Sequence, residues 1–177
     1  MIYGNRIRLR AIERKDLPTF VVWLNDPEVK QGMSIYRPFS EADEEKWFDG
    51  ILTGDPDARP FAIEVNTADE TWQTVGNCGF HVINWRSRAA ELGIFIGDKS
   101  YRNRGYGSEA TRLLVSYGFD TLNMHRICLR VFAFNKRAIH VYEKLGFIHE
   151  GCMRQAHYLE GEYHDVLWMS VLRGELH

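Results

Sequence analysis

The stretch "YRNRGYGSEA", Tyr101 to Ala110, has the residue types of an anion seat. Gly105 and Gly107 lack side chains that would keep a ligand from the backbone, and the apolar-periodic segment that follows reads as a helix. Amide groups converging at a helix start, with the helix dipole behind them, attract phosphate. Arg102 and Arg104 either add charge to such a seat or stand solvated at the surface. A plain glycine-rich turn capped by Ser108 is the simpler reading. The same letters contain G-x-G-x-x-A, a relaxed dinucleotide fingerprint, but seven residues separate Gly97 from Gly105, too many for its tight turn. The strand that follows also lacks a terminal acidic residue for a ribose. A Walker loop is excluded because no lysine closes the stretch. Elsewhere, "EADEE" (Glu41–Glu45) could draw a polycation, although an acidic first helical turn accounts for it. His157 and His164 lack metal-ligand spacing, and the three cysteines, Cys78, Cys128 and Cys152, contain no CxxC pair. No metal is expected.

The elements that must position this loop are those of a mixed α and β chain. It has 177 residues, 45% hydrophobic and 26% charged, with a net charge of −2. Such a chain supports one domain, residues 1–177, and carries no basic field for nucleic acid. A charged N-terminus, no run of 18 apolar residues and an odd, scattered cysteine set predict a cytoplasmic protein without a membrane span. "RIRLRAI" alternates as a half-buried strand. Asp16 is placed to cap the helix "LPTFVVWLND", which "NDPEV" ends. Ser40 and Asp43 form a capping box ahead of an apolar stripe of Trp47, Phe48, Ile51 and Leu52. "GDPDARP" is a break before the strand "FAIEV". "NTADETWQT" then leads to "VGNCGFHVIN", and the turn "WRSRAA" to "ELGIFIG", an antiparallel meander over 61–97. The helix after the loop presents Ala110, Leu113, Leu114 and Tyr117 on one face. "HRICLRVFA" must then pair parallel with "ELGIFIG". Asn135 opens the helix "KRAIHVYEKL", Gly146 closes it, and a hairpin turning at Glu160–Gly161 ends the chain. The order β-α-α-β-β-β-α-β-α-β-β defines an α+β fold.

"ELGIFIGDKSYRNRGYGSEATRLL" and "HRICLRVFAFNKRAIHVYEKLGF" together resemble the GNAT superfamily of acetyl-CoA-dependent N-acetyltransferases. The Arg/Gln-x-x-Gly-x-Gly/Ala signature of that family is met by Arg102, Gly105 and Gly107. "GCMRQAHYLEGEYHDVLWMSVL", "RIRLRAIERKDL" and "WLNDPEV" are similar to its RimJ/RimL-like branch, which includes spermidine acetyltransferases. The resemblance covers nearly the whole chain. It implies a mainly antiparallel mixed sheet with a central, splayed pair of parallel strands and flanking helices. It implies acetyl-CoA as co-substrate, its pyrophosphate on Arg102, Asn103, Arg104, Gly105, Tyr106, Gly107 and Ser108. The pantetheine arm would lie along Phe95 and Ile96, with a bulge at Gly93, and against Asn135. Tyr142 would protonate the departing thiolate, a task suited to a phenol; its other reading is core packing with Ile139 and Leu145. Glu91 is the resemblance's candidate base, and His81 could serve instead through a water. The acceptor would be a protein N-terminus, a polyamine, an aminoglycoside or an amino sugar, and a homodimer is compatible with the branch. The competing function is an acyl-CoA-binding module without turnover.

Overall fold

Ile7 and Leu9 alternate with arginines, and in the computed structural model both are fully buried in a short strand. The structure describes residues 1–67, 69 and 71–177. Residues 68 and 70 of the expected connection between the first two meander strands lie outside the described residues. Two compact units divide the chain, one of Met1–Phe80 with Gly93–Leu114 and one of His81–Leu92 with Val115–His177.

In the first unit the sheet order is β1 (Ile2–Tyr3), β2 (Ile7–Ala11), β3 (Phe61–Asn66), β4 (Trp72–Asn84) and β5 (Ala89–Ile96), with β4 and β5 each continuing into the second. β1 through β4 pair antiparallel. Helices α1 (Leu17–Asn25), α2 (Pro27–Lys30) and α3 (Glu41–Thr53) precede β3. A core of Ile12, Leu17, Phe20, Trp23, Val29, Phe48 and Ala62 forms here, with Trp47, Ile51 and Phe95 packed against it. Each large apolar side chain so buried contributes about 1.5–3 kcal/mol. Leu52 does not join the predicted stripe; it is 45% exposed. The Ser40–Asp43 capping box is present, with both reciprocal hydrogen bonds made. Asp16 occupies the residue before α1 but does not cap it. Its carboxylate instead accepts from Arg10 and from the Glu13 amide, a buried charge partner being worth more than an orphan N–H. The proline that ends α1 starts α2, where Asp26 caps by accepting from the Glu28 amide.

In the second unit the order is β4, β5, β6 (Arg126–Phe132), β8 (Glu162–Leu172) and β7 (Ile148–Leu159). β5 and β6 are parallel over three pairs, Ala89 with Arg126, Ala90 with Ile127 and Glu91 with Cys128. β6 then continues to Phe132 along antiparallel β8. The sheet is therefore mixed and mainly antiparallel, as expected. Helix α4 (Tyr106–Asp120), which belongs to the first unit as far as Leu114 and to the second from Val115, buries Ala110, Thr111, Leu114, Val115 and Phe119, while Leu113 and Tyr117 are only half-buried. The buried face is thus rotated from the predicted one, wide enough to include positions 111 and 115. Helix α5 (Lys136–Lys144) begins at Asn135, whose side chain accepts from the Ala138 amide.

Candidate active site

The phosphate-type loop lies in the first unit. β5 ends where two successive amides, Gly97 and Asp98, both donate to the Val75 carbonyl at 2.9 and 3.2 Å. Two donors on one carbonyl is the pattern of a β-bulge, which re-aims the chain at the strand end. This bulge lies four residues beyond Gly93, the position where the resemblance implies one. Gly97 permits it because a Cβ at that position would overlap the Trp23 indole. Phe95 is turned inward with its ring edge-on to Trp23, centroids 6.3 Å apart. Arg102 donates from Nε to the Ile96 carbonyl at 3.1 Å, so this arginine braces the loop on the strand end rather than projecting into solvent. Of the groups predicted to offer backbone at positions 95 and 96, the Ile96 carbonyl is already engaged by that bond.

Asn103 and Gly105 both adopt positive φ, 62° and 84°, curling the chain around Arg104. Only glycine takes such a conformation freely, and Gly105 meets the need. The amides of Arg104, Gly105, Tyr106, Gly107 and Ser108 donate to no backbone carbonyl among the described residues. The last three are the unpaired donors that open any helix. Ser108 lies within the first turn of α4, not at its cap. Arg104 is exposed, its guanidinium 5.8 Å from the Tyr101 ring. A Cβ at Gly107 would make an ordinary 3.7 Å contact with Ile96, so the protein's own packing does not demand glycine there.

Sequence reasoning missed Arg6. Its amide and Nε donate to the two carboxylate oxygens of Glu109 at 2.8 and 3.0 Å, and Nη1 donates to the Arg104 carbonyl at 3.0 Å. The guanidinium also lies 4.8 Å from the Tyr106 ring centroid. Arg6 thereby ties the Arg104 carbonyl, and with it the loop, to the start of α4 at Glu109. Sequence offers no signal for this, since the partners are about a hundred residues apart.

The second unit carries the acid–base candidates. Tyr142 is buried on α5, its ring 5.7 Å from that of Phe147. Burial pushes its pKa up to about 12, so the phenol is fully protonated at neutral pH. Ile139 and Leu145, its neighbours in the alternative core reading, are buried as well. Glu91 is not a solvent-facing strand end. Its side chain is 12% exposed, and Oε1 accepts from Arg130 Nε at 2.7 Å. His81, on β4, has an exposed ring, yet the surrounding protein lowers its pKa by desolvation. Glu91 opposes that shift and Arg130 adds to it. The neutral imidazole, the form that can accept a proton, is therefore favoured. Asn135 spends its carbonyl oxygen on the cap and keeps its amide NH₂ as a donor.

His157 and His164 face each other across β7 and β8. His157 is buried and stacked on Phe132 at 3.9 Å, with its pKa lowered by burial and then by His164. Among the described residues no cluster of His, Cys, Asp and Glu could hold a metal ion, and no helix is long and apolar enough to cross a membrane. In the first unit, the acidic turn of α3 is locally engaged, Asp43 by Ser40 and Arg37 and Glu45 by Arg14.

A sheet with a short parallel pair, followed by a bulged strand end and a loop of unpaired amides at a helix start, is the architecture of one class of acyltransferase. Residues 6–148 match the acetyltransferase (GNAT) domain, and the chain belongs to this family of acetyl-CoA-dependent N-acetyltransferases. It is 31% identical over 177 residues to the uncharacterized N-acetyltransferase p20 of Bacillus licheniformis, covering 98% of this chain and 97% of the relative. It is 29% identical over 172 residues to the spermidine N(1)-acetyltransferase of Vibrio cholerae, covering 97% and 96%. The crystal structure of a Vibrio cholerae spermidine N-acetyltransferase in complex with CoA and spermine superposes with a TM-score of 0.85 at 27% identity, covering 97% of this chain and 98% of that one.

Proposed function

We propose that the protein acetylates a primary amine of a polyamine by direct attack on acetyl-CoA. What carries the donor half of this reading is the run of unpaired amides from Arg104 to Ser108, curled by Asn103 and Gly105 and backed by Arg6. That set fits a pyrophosphate, which needs several N–H donors and a positive helix end. Arg102, Asn103 and Tyr106 complete the loop in this proposal. Phe95, Ile96 and the Asn135 amide are the contacts assigned to the pantetheine arm. The polyamine is chosen because the spermidine acetyltransferases are similar over nearly the whole chain.

In the reaction, Glu91 takes a proton from the incoming ammonium, directly or through water, with His81 as the second candidate. The free amine forms an N–C bond to the thioester carbonyl, the C–S bond breaks, and the sulfur takes the Tyr142 proton. A phenol at about 12 against a thiol near 8.5 makes complete transfer uphill by about 5 kcal/mol. Tyr142 therefore yields its proton only as another returns to it from the acidifying amine nitrogen. Such acid catalysis is worth about 10²–10⁴-fold. A homodimer belongs to the same proposal, and sedimentation equilibrium reads it as twice the 20.6 kDa chain mass.

The test is thiol release from acetyl-CoA across an amine panel of spermidine, spermine, a peptide N-terminus, an aminoglycoside and an amino sugar. Turnover with the polyamines is expected, together with a kcat lowered about 10²–10⁴-fold in Tyr142→Phe. Turnover with another amine alone would replace the acceptor. Stabilisation by acetyl-CoA with no thiol release from any amine would make the chain a binding module. Unchanged kcat in Tyr142→Phe would remove the proton-donor role.

A further inference from the structure

Glu91 and Arg130 form an ion pair with an unusual division of exposure. The carboxylate side chain is 12% exposed and the guanidinium side chain 52%. Glu91 sits at the last pair of the parallel ladder, opposite Cys128, and Arg130 is two residues further along β6 on the same side of the strand. Cys128, opposite Glu91 in the ladder, donates its thiol to the Ala90 carbonyl. On its other flank β6 pairs with β8, where Arg130 is opposite Trp168 and its guanidinium lies 5.4 Å from the indole centroid. Arg130 is therefore held from two directions, by the indole and by the carboxylate. It reaches Glu91 through Nε alone, and Glu91 Oε2 accepts no hydrogen bond from the described residues.

This geometry has a chemical use if Glu91 is the base, so it rests on the reading above. A carboxylate free to rotate presents either oxygen and wanders between rotamers. One with Oε1 fixed presents Oε2 alone, in one direction. We propose that Arg130 is the positioning residue for the base: it pins Glu91 Oε1, supported by Trp168 behind it, so that Oε2 is the oxygen offered to the acceptor's proton. The charged and titratable groups facing Glu91 are Arg130 and Cys128 from β6 and His81 from β4. Among the described residues, Arg130 alone makes a hydrogen bond to the carboxylate. Its guanidinium touches neither donor nor acceptor in this account and acts through Glu91.

Steady-state kinetics on Arg130→Ala, Arg130→Lys, Glu91→Gln and the Glu91→Gln/Arg130→Ala double variant test the proposal. Misplacing a reacting group costs on the order of 10²-fold. Arg130→Ala should lose about that much kcat with the KM for acetyl-CoA unchanged, and Arg130→Lys should recover part of it. In the Glu91→Gln background the alanine change should cost less than about twofold, because nothing is left to position. Independent, additive losses in the two backgrounds would overturn the proposal, as would wild-type kcat in Arg130→Ala. A second readout needs no turnover. The carboxyl 13C resonance of Glu91 should move and broaden in Arg130→Ala, and an unmoved resonance also overturns the proposal. Wild-type protein inert toward every amine, with the resonance responding as expected, would instead sink the role of Glu91 as base and leave the pin intact.

Discussion

Two arginines on different strands make carboxylate pairs and do opposite things with them. Arg10, in β2, is 7% exposed and spends all five N–H donors: Nε on Glu64, Nη1 on Asp16 and the Ala11 carbonyl, Nη2 on Asp16 and Thr74. Arg130, in β6, spends one donor on its partner, whose second oxygen accepts no hydrogen bond from the described residues. A closed network cannot accept a ligand without breaking, so it belongs to the fold. A half-made pair leaves capacity, here beside a partly buried carboxylate whose side chain is 12% exposed. The charge state follows the same division. Burial alone would raise Asp16, but its bonds to Arg10 and the Glu13 amide outweigh that and hold it below the usual carboxylate range.

The contrast can be broken first at Arg10. Arg10→Ala strands two buried carboxylates, and the loss should be about 3–5 kcal/mol, or roughly 10 °C in Tm. A loss below about 1 kcal/mol in urea denaturation would mean the network is ornamental. Glu44 sharpens the comparison, because it is a buried carboxylate, 3% exposed, with no ion pair to an arginine among the described residues. Burial, and then repulsion from Asp43, pushes its pKa from 4.5 to about 7. Its folded value exceeds its unfolded one, so its contribution is fully favourable below about pH 4.5 and is lost as pH rises through 7. Glu44→Gln should therefore gain up to about 3 kcal/mol at pH 8 and converge with wild type near pH 4.5. A gain that is the same at both pH values would contradict this origin. The smallest effect is expected at Arg130. Its pair is half open to solvent, so Arg130→Ala should change unfolding free energy by no more than about 1 kcal/mol while kcat falls. A larger loss of stability would place it with Arg10.

What was legible in the sequence divides along chain separation. The capping box at Ser40, the strand alternation at Ile7 and Leu9 and the cap at Asn135 are each settled within four residues, and each was predicted correctly. Asp16 was misassigned because its winning partner, Arg10, sits on the preceding strand and outcompetes a local amide. The buried face of α4 was misplaced because Thr111 reads as polar. It is buried, with its hydroxyl spent on the Gly107 carbonyl. In the candidate site, the glycine loop, Tyr142 and Glu91 carried residue types that suggest chemistry. Arg6 and Arg130 did not, since an arginine in an alternating strand looks like solvated surface until its partner, 103 or 39 residues away, is known.

The Arg6 brace has a consequence for how the loop comes into being. Its bonds close contacts of 98 and 103 residues, so Gly105 and its neighbours can adopt their local turn early but cannot be locked until the N-terminal strand has docked. Contacts of that separation pay their loop-closure entropy before they return any stabilisation. The loop is thus among the last parts of its unit to be finished, since it waits on Arg6 from the start of the chain.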